Sequence, residues 1–417
     1  MMKIRLAHIT SLEFLLTVVI FSCLLLPNII YIGEVAVSLH VFLVFLFFPL
    51  ILFYLMKIRI NRYNVYYLIF LFLVVISTLW GYVALGVPFS WRDVNEIVRY
   101  LIPLLAMLLV NCTKSEKMLR YMYLFFLFSV PLIFLISVIE YFNLFNLAPL
   151  VGKLYTSDLH VRNMIDYSHR CFVTGGDPNI GAFIVLLYLF FFYYFYLSQK
   201  KILSLIVFFL LMIVVLMTSS RTAFFSMAAV MLFSVFHNRA YSFTLRLCLL
   251  LLGILVILLI LPRFYYLYEG IRTFFSGTNT SFNTRLHMWE DELKIFKQSL
   301  WIGWGPAKAI HTTIVDGEYV LLLRRYGIVG FISLLVFIYK VPLKLLRWEL
   351  PPDAPSHLQI LFSAFRLYSG VIPFLMFTNN FFFGYQLFLP YAVFSAVLYN
   401  YVSHEKSVSY YNGTQSH

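Results

Sequence analysis

Two adjacent apolar runs decide the fold class of this chain. Residues 180–197 read IGAFIVLLYLFFFYYFYL, and residues 202–217 read ILSLIVFFLLMIVVLM. Neither run contains a charged residue, and only a short segment with Lys200 and Lys201 separates them. An apolar helix needs ~20 residues to cross the hydrocarbon core of a bilayer. The two runs therefore predict consecutive membrane spans joined by a basic turn.

The composition of the whole chain extends this prediction. Of 417 residues, 62% are hydrophobic and only 12% are charged, which excludes an ordinary soluble domain of this size. Hydropathy predicts an all-α polytopic membrane protein with about twelve transmembrane helices. The predicted spans are 12–32, 35–56, 65–85, 94–110, 121–139, 180–197, 202–217, 222–236, 245–261, 319–339, 358–378 and 387–402. They form a single integral membrane domain over 1–402, and the polar tail at 403–417 is predicted to be disordered.

The charge of the connecting loops predicts the orientation. Basic residues such as Lys57, Lys114, Lys200 and Lys340 all fall on one side of the predicted membrane. Because loops rich in Lys and Arg remain in the cytoplasm, both termini are predicted to be cytoplasmic. The net charge of +13 then follows in part from membrane topology and does not call for a nucleic-acid partner, although some of the excess basic residues lie in the predicted external loops. The two longest loops, at about 140–179 and 262–318, lie on the opposite face.

The sequence predicts neither a bound metal nor a cofactor. The four cysteines form no ligand pattern, and only Cys171 falls in a predicted external loop. The sequence contains no phosphate-binding loop, no dinucleotide-binding glycine pattern and no His-Glu-x-x-His motif. We therefore expect any chemistry to come from other side chains, above all arginines and carboxylates of the outer loops.

Two external stretches place an arginine among small and polar residues. Residues 169–181 read HRCFVTGGDPNIG, where Asp177 followed by proline predicts a helix start but leaves Arg170 unexplained. Residues 218–222 read TSSRT, a tight turn between two apolar helices that carries Arg221. An arginine at a helix end can extend into the interface at little cost, so a structural and a functional role for Arg221 both remain open.

Two further stretches lie in and after the second long loop. Residues 284–296 predict a short amphipathic helix on the outer surface, and a Gly-Trp-Gly-Pro turn follows it. Residues 316–330 read DGEYVLLLRRYGIVG, with Asp316 and Glu318 at the outer end of a predicted span. Acids also stabilise any helix N-terminus, so this placement alone does not establish a site.

In this order, the four stretches resemble the O-antigen polymerase and O-antigen ligase superfamily of bacterial envelope glycosyltransferases. The matching features are an arginine before Gly-x-Pro-Asn, a Thr-x-x-Arg turn, Arg and Trp before a glycine-rich turn, and an acidic segment that ends in Tyr-Gly-x-x-Gly. They occur at Arg170 with 176–179, at Thr218 and Arg221, at Arg285 and Trp289 with 300–306, and at 316–330. The resemblance covers about residues 90–340 and implies a GT-C-like glycosyltransferase architecture.

The resemblance also implies a reaction and a location, the periplasmic face of the bacterial inner membrane. A polymerase of this kind transfers a growing glycan from one undecaprenyl pyrophosphate carrier to a new lipid-linked repeat unit. Arginine forks suit pyrophosphate, and a carboxylate suits the role of base for a sugar hydroxyl. The expected catalytic residues are Asp316, Glu318, Arg221 and Arg285, and the expected substrate-binding residues are Arg99, Arg170, Arg324, Arg325, Tyr319 and Asn179.

Two other functions stay open. Ligases of the superfamily usually carry His where this chain has Asp316, but His311 lies close enough to keep open a ligase that transfers polymer to lipid A core. A flippase or transporter would need a charged path through the membrane, whereas the ionisable residues cluster at helix ends. The family also implies a separate chain-length regulator protein as a partner.

Overall fold

The computed structural model describes residues 11–32, 35–38, 60–156, 158–162, 168–237, 244, 251, 259–311, 315–348, 350, 354–382 and 385–414. Most of this part of the chain is helical. The helices are α1 (Leu12–Leu25), α2 (Arg62–Ala84), α3 (Trp91–Val110), α4 (Ser115–Phe142), α5 (Ala148–Tyr155), α6 (Asp158–Arg162), α7 (Pro178–Gln199), α8 (Ile202–Thr218), α9 (Arg221–His237), α10 (Tyr265–Phe275), α11 (Thr280–Phe296), α12 (Glu318–Leu346), α13 (Ser356–Thr378) and α14 (Tyr385–Thr414). The remaining elements are two 3₁₀ turns, Leu144–Asn146 and Leu261–Arg263, and two short strands, β1 (Asn28–Ile32) and β2 (Val35–Ser38).

Five of the described helices are long and apolar enough to cross a membrane, namely α2, α4, α7, α12 and α13. Each coincides with a predicted span. Shorter apolar helices, α1, α8 and most of α9, lie at the first, seventh and eighth predicted spans. The chain is therefore a multi-pass α-helical membrane protein. The count of twelve stays a prediction, because most of the predicted spans at 35–56 and 245–261 falls outside the described residues.

The first predicted span is wrong at its C-terminal end. α1 ends at Leu25, seven residues before the predicted end at position 32. Leu26 is extended, with ψ 147°, because the ring of the following Pro27 disfavours the helical conformation in the residue before it. β1 and β2 then pair antiparallel, so the second predicted span is not helical over 35–38.

The C-terminal helix is longer than the sequence predicts. α14 continues to Thr414, twelve residues beyond the end of the twelfth predicted span at position 402. This segment contains no proline, and its first glycine is Gly413, a residue type that commonly ends helices. Ser403, at its start, also accepts a hydrogen bond from Lys344 Nζ at 2.6 Å.

A glycine interrupts α12 about one third of the way along. Gly327 has φ 63° and ψ −172°, a conformation that is open to glycine and disfavoured for other residues. The turn at 300–305 enters this break, where the Trp304 amide donates to the Arg324 carbonyl at 2.9 Å. A Cβ atom on Gly327 would lie only 2.3 Å from the Trp301 carbonyl oxygen. The two glycine-rich motifs are therefore one structural unit, in which the turn satisfies backbone groups that the break exposes.

The chain divides into two compact units. The first unit comprises Met1–Phe128, Arg285–Ser369 and Met376–His417, and the second comprises Ser129–Thr284 and Gly370–Leu375. α4 and α13 each contribute residues to both. The units are consequently assembled from segments that are far apart in sequence.

Each unit has its own apolar core. In the first unit, the Phe337 ring lies 4.9 Å from the Tyr63 ring and 4.7 Å from the Tyr67 ring, which joins α12 to α2. In the second unit, α7 packs against both α8 and α9. Most of α7 is buried, and residues 180–197 contain no charged side chain.

Candidate active site

A surface ion pair in the first unit joins two of the sequence motifs. Arg285, on α11, donates from Nε and Nη2 to Asp316 Oδ2 at 3.1 and 2.9 Å. One helical turn later, Trp289 Nε1 donates to the Asp316 carbonyl at 2.5 Å. The Asp316 side chain remains 50% exposed, against 19% for Arg285. The Asp316 carboxylate is therefore accessible to solvent, and Arg285 holds it in place.

Glu318, the other predicted base, occupies a different environment. Only 1% of this residue is exposed, and both carboxylate oxygens accept a hydrogen bond from the Phe382 amide at 2.8 Å. The nearby Asn380 side chain donates to the Val315 carbonyl at 2.9 Å, which fixes the same turn after α13. Glu318 therefore organises the backbone between α13 and α14. Tyr319 follows it half-buried, with its ring 5.9 Å from that of Phe331.

A buried carboxylate that sequence reasoning missed lies at the centre of a second cluster. Glu96, on α3, is fully buried and accepts hydrogen bonds from Arg325 Nη1 at 2.5 Å and from Tyr326 Oη at 2.9 Å. Lys308 Nζ lies 2.6 Å from its other oxygen. Burial lowers the pKa of Lys308, an effect that the Glu96 carboxylate opposes. Arg99, one turn after Glu96 on α3, adds a further positive charge near Lys308.

Arg324 has a separate partner. Its Nε lies 2.8 Å from Glu292 Oε2, and the Arg324 side chain is fully buried. This close contact does not have hydrogen-bond geometry, and none of the three guanidinium nitrogens has a hydrogen-bond partner among the described residues. Burial raises the pKa of Glu292, while the Arg324 charge lowers it. The guanidinium thus retains donors that an additional acceptor can take up.

His311 lies in the same region and is neutral at physiological pH. Burial lowers its pKa to about 4, and the positive charges of Arg324 and Arg325 add to this effect. Its ring lies 5.8 Å from the Trp304 ring, and its buried Nε2 has no hydrogen-bond partner among the described residues. A neutral imidazole can accept a proton, so His311 is chemically able to act as a base.

The second unit holds the other predicted residues. Arg170 donates from Nε to the Thr218 carbonyl at 2.9 Å and from Nη2 to Asn179 Oδ1 at 3.4 Å, and its guanidinium carbon lies 4.8 Å from the centre of the Tyr266 ring. The Gly-x-Pro-Asn and Thr-x-x-Arg motifs therefore contact each other. As predicted, Asp177 caps α7, accepting from the Asn179 amide at 2.8 Å.

Arg221 begins α9 in the same unit and contacts α10. Its Nη1 donates to the Gly270 carbonyl at 3.3 Å. A Cβ atom at position 270 would lie 3.0 Å from Arg221 Cδ, so α10 lies directly against this side chain. The carbonyl contact orients the guanidinium at the N-terminal end of α9.

The predicted residues therefore fall into two sets. The first unit contains Arg99, Arg285, Asp316, Glu318, Tyr319, Arg324 and Arg325, and the second contains Arg170, Asn179 and Arg221. Sequence reasoning missed the carboxylates Glu96, Glu140 and Glu292. Glu96 and Glu140 stand at the ends of apolar runs, and that unusual placement was the signal available. Among the described residues, no group of three or more His, Cys, Asp or Glu side chains is arranged to hold a metal ion.

Residues 206–335 match a family model described as O-Antigen ligase. This range includes Arg221, Arg285, Asp316 and Arg324, whereas the motif at Arg170 lies before it. The match confirms the resemblance to the O-antigen polymerase and O-antigen ligase superfamily, whose members are glycosyltransferase-like membrane enzymes. No curated protein matches the chain significantly.

Proposed function

We propose that this protein is an O-antigen polymerase that joins lipid-linked repeat units at the periplasmic face of the bacterial inner membrane. The observation that carries the proposal is the Arg285–Asp316 pair, in which an exposed carboxylate and a guanidinium from two family motifs meet at 2.9 Å. The donor is a glycan on undecaprenyl pyrophosphate, and the acceptor is a hydroxyl of the next lipid-linked unit. Such a donor is already activated and requires no nucleotide sugar.

In the proposed step, the acceptor hydroxyl oxygen bonds to the anomeric carbon of the donor sugar. The bond from that carbon to the pyrophosphate oxygen breaks, and Asp316 takes the hydroxyl proton. The negative charge that develops on the pyrophosphate needs fixed donors. Arg285 directs only two of its five N–H groups to Asp316, which leaves others for a phosphate oxygen.

Among the predicted binding residues, Arg324 has the best structural support, because its buried guanidinium lacks hydrogen bonds to described residues. Arg325 and Arg99 belong to the Glu96 cluster, so their proposed role is to hold that cluster around the substrate site. In the second unit, we assign Arg170, Arg221 and Asn179 to binding of the anionic carrier. Glu318 and Tyr319 support the Asp316 segment from the start of α12.

The ligase is the second candidate, and two observations favour it. The matching family model is described as O-Antigen ligase, and His311 supplies a neutral imidazole close to Arg324 and Arg325. A ligase would transfer finished polymer to lipid A core. Under that function, His311 rather than Asp316 would take the acceptor proton.

Purified protein in lipid nanodiscs tests the proposal directly. Lipid-linked repeat units alone, without nucleotide sugars, should be converted into a ladder of longer lipid-linked glycans. If the units lengthen only after lipid A core is added as acceptor, the protein is a ligase. If neither product forms with folded protein and competent substrate, the proposed function is wrong.

A further inference from the structure

The carboxyl group of Glu140 is a buried polar group in the second unit that the proposed chemistry does not use. Glu140 lies in the last turn of α4, and only 5% of the residue is exposed. Its Oε2 accepts hydrogen bonds from the Phe172 and Val173 amides, both at 2.8 Å. Its Oε1 has no hydrogen-bond partner among the described residues. Because a buried polar group without hydrogen bonds costs free energy, these two amide bonds stabilise the Glu140 side chain in its buried position.

Glu140 binds the segment at 169–173, and the backbone of this segment has φ angles that its residue types disfavour. Val173 has φ 57°, and a left-handed backbone costs a side-chain-bearing residue ~1–2 kcal/mol. His169, at the start of the segment, also has positive φ, 44°. Contacts from outside the segment must therefore maintain this backbone.

Packing against α7 and α8 leaves this segment little room to move. A Cβ atom on Gly181 would lie 1.9 Å from the Phe172 carbonyl oxygen, so the segment lies directly on the first turn of α7. The Cys171 amide donates to the Met217 carbonyl at 3.2 Å, which ties the segment to the end of α8. The Phe172 and Val173 amides face α4 instead, and Glu140 is their acceptor.

Arg170 lies two residues before Phe172, the first of the two residues whose amides bind Glu140. Its Nε bond to the Thr218 carbonyl and its Nη2 contact with Asn179 both depend on where the backbone at 170–173 lies. Loss of the Glu140 bonds would release that backbone on the α4 side. The Arg170 guanidinium would then lose its fixed direction, although Arg170 itself is unchanged.

We propose that Glu140 is a positioning residue, which clamps the Phe172 and Val173 amides and thereby directs Arg170 toward the anionic carrier. The inference rests on the proposed function, because it takes Arg170 to bind the pyrophosphate. Glu140 lies on α4 and would act on substrate binding only through the position of Arg170. A single oxygen makes both bonds, so the clamp needs an acceptor at that point and does not need a charge.

Two substitutions test whether the clamp requires only a hydrogen-bond acceptor at position 140. Glu140→Gln keeps one carbonyl oxygen for both amides, whereas Glu140→Leu removes the acceptor. We expect Glu140→Leu to lower kcat/KM about 10-fold, mainly through KM, and Glu140→Gln to stay within about two-fold of wild type. In an Arg170→Ala background, Glu140→Leu should cause no further loss, since both changes remove the same function. A fully additive loss, or a Gln variant as weak as the Leu variant, would overturn the proposal.

Hydrogen–deuterium exchange provides a readout that does not depend on activity. The peptide covering 169–176 should exchange faster in Glu140→Leu and at the wild-type rate in Glu140→Gln, while the interior of α7 stays protected in both. If Glu140→Leu does not fold, Glu140→Asp shortens the reach by one methylene group and should raise exchange in the same peptide. Unchanged exchange in the folded Leu or Asp variant would refute the clamp. Failure of the wild-type protein to lengthen glycans would instead refute the proposed function and leave the exchange result valid.

Discussion

The arginines of the two units are held by different kinds of partner. In the first unit, Arg285, Arg324 and Arg325 face the carboxylates of Asp316, Glu292 and Glu96 at 2.9, 2.8 and 2.5 Å. In the second unit, Arg170 and Arg221 donate to the Thr218 and Gly270 carbonyls. A carboxylate fixes a guanidinium and offsets part of its charge, whereas a backbone carbonyl fixes the direction of a guanidinium but carries no net charge of its own.

We expect this difference to separate residues that stabilise the fold from residues that bind substrate. A buried pair is hard to alter on one side, because the remaining charge is left without compensation. Substitutions in the Glu96 cluster should therefore affect folding first. Substitutions of the carbonyl-bound arginines should mainly affect the handling of an anionic substrate.

The largest expected effect is the loss of folding stability in Glu96→Gln. Removing the charge leaves the buried Arg325 and the half-buried Lys308 beside a neutral group, and breaking one side of a buried pair costs ~3–5 kcal/mol. Thermal unfolding in detergent should show a clear decrease in Tm. Glu290→Gln, a matched change at an exposed position on α11, should leave Tm nearly unchanged. Equal Tm values for both variants would mean that the Glu96 cluster does not support the fold.

Next in size is the loss of transfer in Arg285→Ala. Removing a donor that stabilises developing charge typically costs about 10²–10³-fold in rate. The measurement is the initial rate of glycan lengthening by folded, purified protein. Arg272→Ala is the control, because Arg272 forms an exposed pair with Glu269 on α10 and has no proposed role. A rate for Arg285→Ala close to that of the control would exclude Arg285 from the reaction.

A smaller effect is expected when Arg221 is changed in two ways. Arg221→Lys retains the charge but loses the planar fork, and Arg221→Ala loses both. We expect KM to rise about 10-fold in Arg221→Lys and further in Arg221→Ala, with Tm close to wild type in both. A large decrease in Tm with normal KM would show instead that the Gly270 contact is structural, which would remove the contrast between the two units.

The smallest effect concerns His311 and pH. Its pKa is lowered from 6.5 to about 4, so the unfolded chain binds a proton in this window that the folded protein does not. Stability should therefore fall as pH decreases from about 6.5 to 4, and His311→Gln should reduce that fall. Unfolding measured across this range gives the comparison. An identical pH dependence in both proteins would contradict the burial of this imidazole.

The sequence predicts the long membrane helices well and the interruptions poorly. α7 is recognisable because it is apolar throughout, whereas the end of α1 depends on Pro27 and the break in α12 on Gly327, each within an apolar stretch. Hydropathy averages over such single residues. The break in α12 is explained by the turn at 300–305, whose amides bind the carbonyls that the break exposes.

For the candidate site as well, the sequence suggests some residues and does not reveal their partners. Residue type and motif order suggest Arg285 and Asp316 as candidates, because their chemistry suits a pyrophosphate donor and a hydroxyl acceptor, and their role stays a prediction. The partners Glu96 and Glu140 act across long separations in the chain, and one sequence does not reveal which amide or guanidinium they meet. It also does not distinguish Asp316 from Glu318, which differ in exposure and in hydrogen bonding.

The central claim is that the Arg285–Asp316 pair joins lipid-linked units, and the lipopolysaccharide ladder of a strain lacking this protein tests it most directly. Without the protein, lipid A core should carry single repeat units and no ladder. Wild-type protein should restore the ladder, and Arg285→Ala at an equal level in the membrane should not. A strain whose core carries no repeat unit at all would identify a ligase, and a ladder restored by Arg285→Ala would contradict the proposed site.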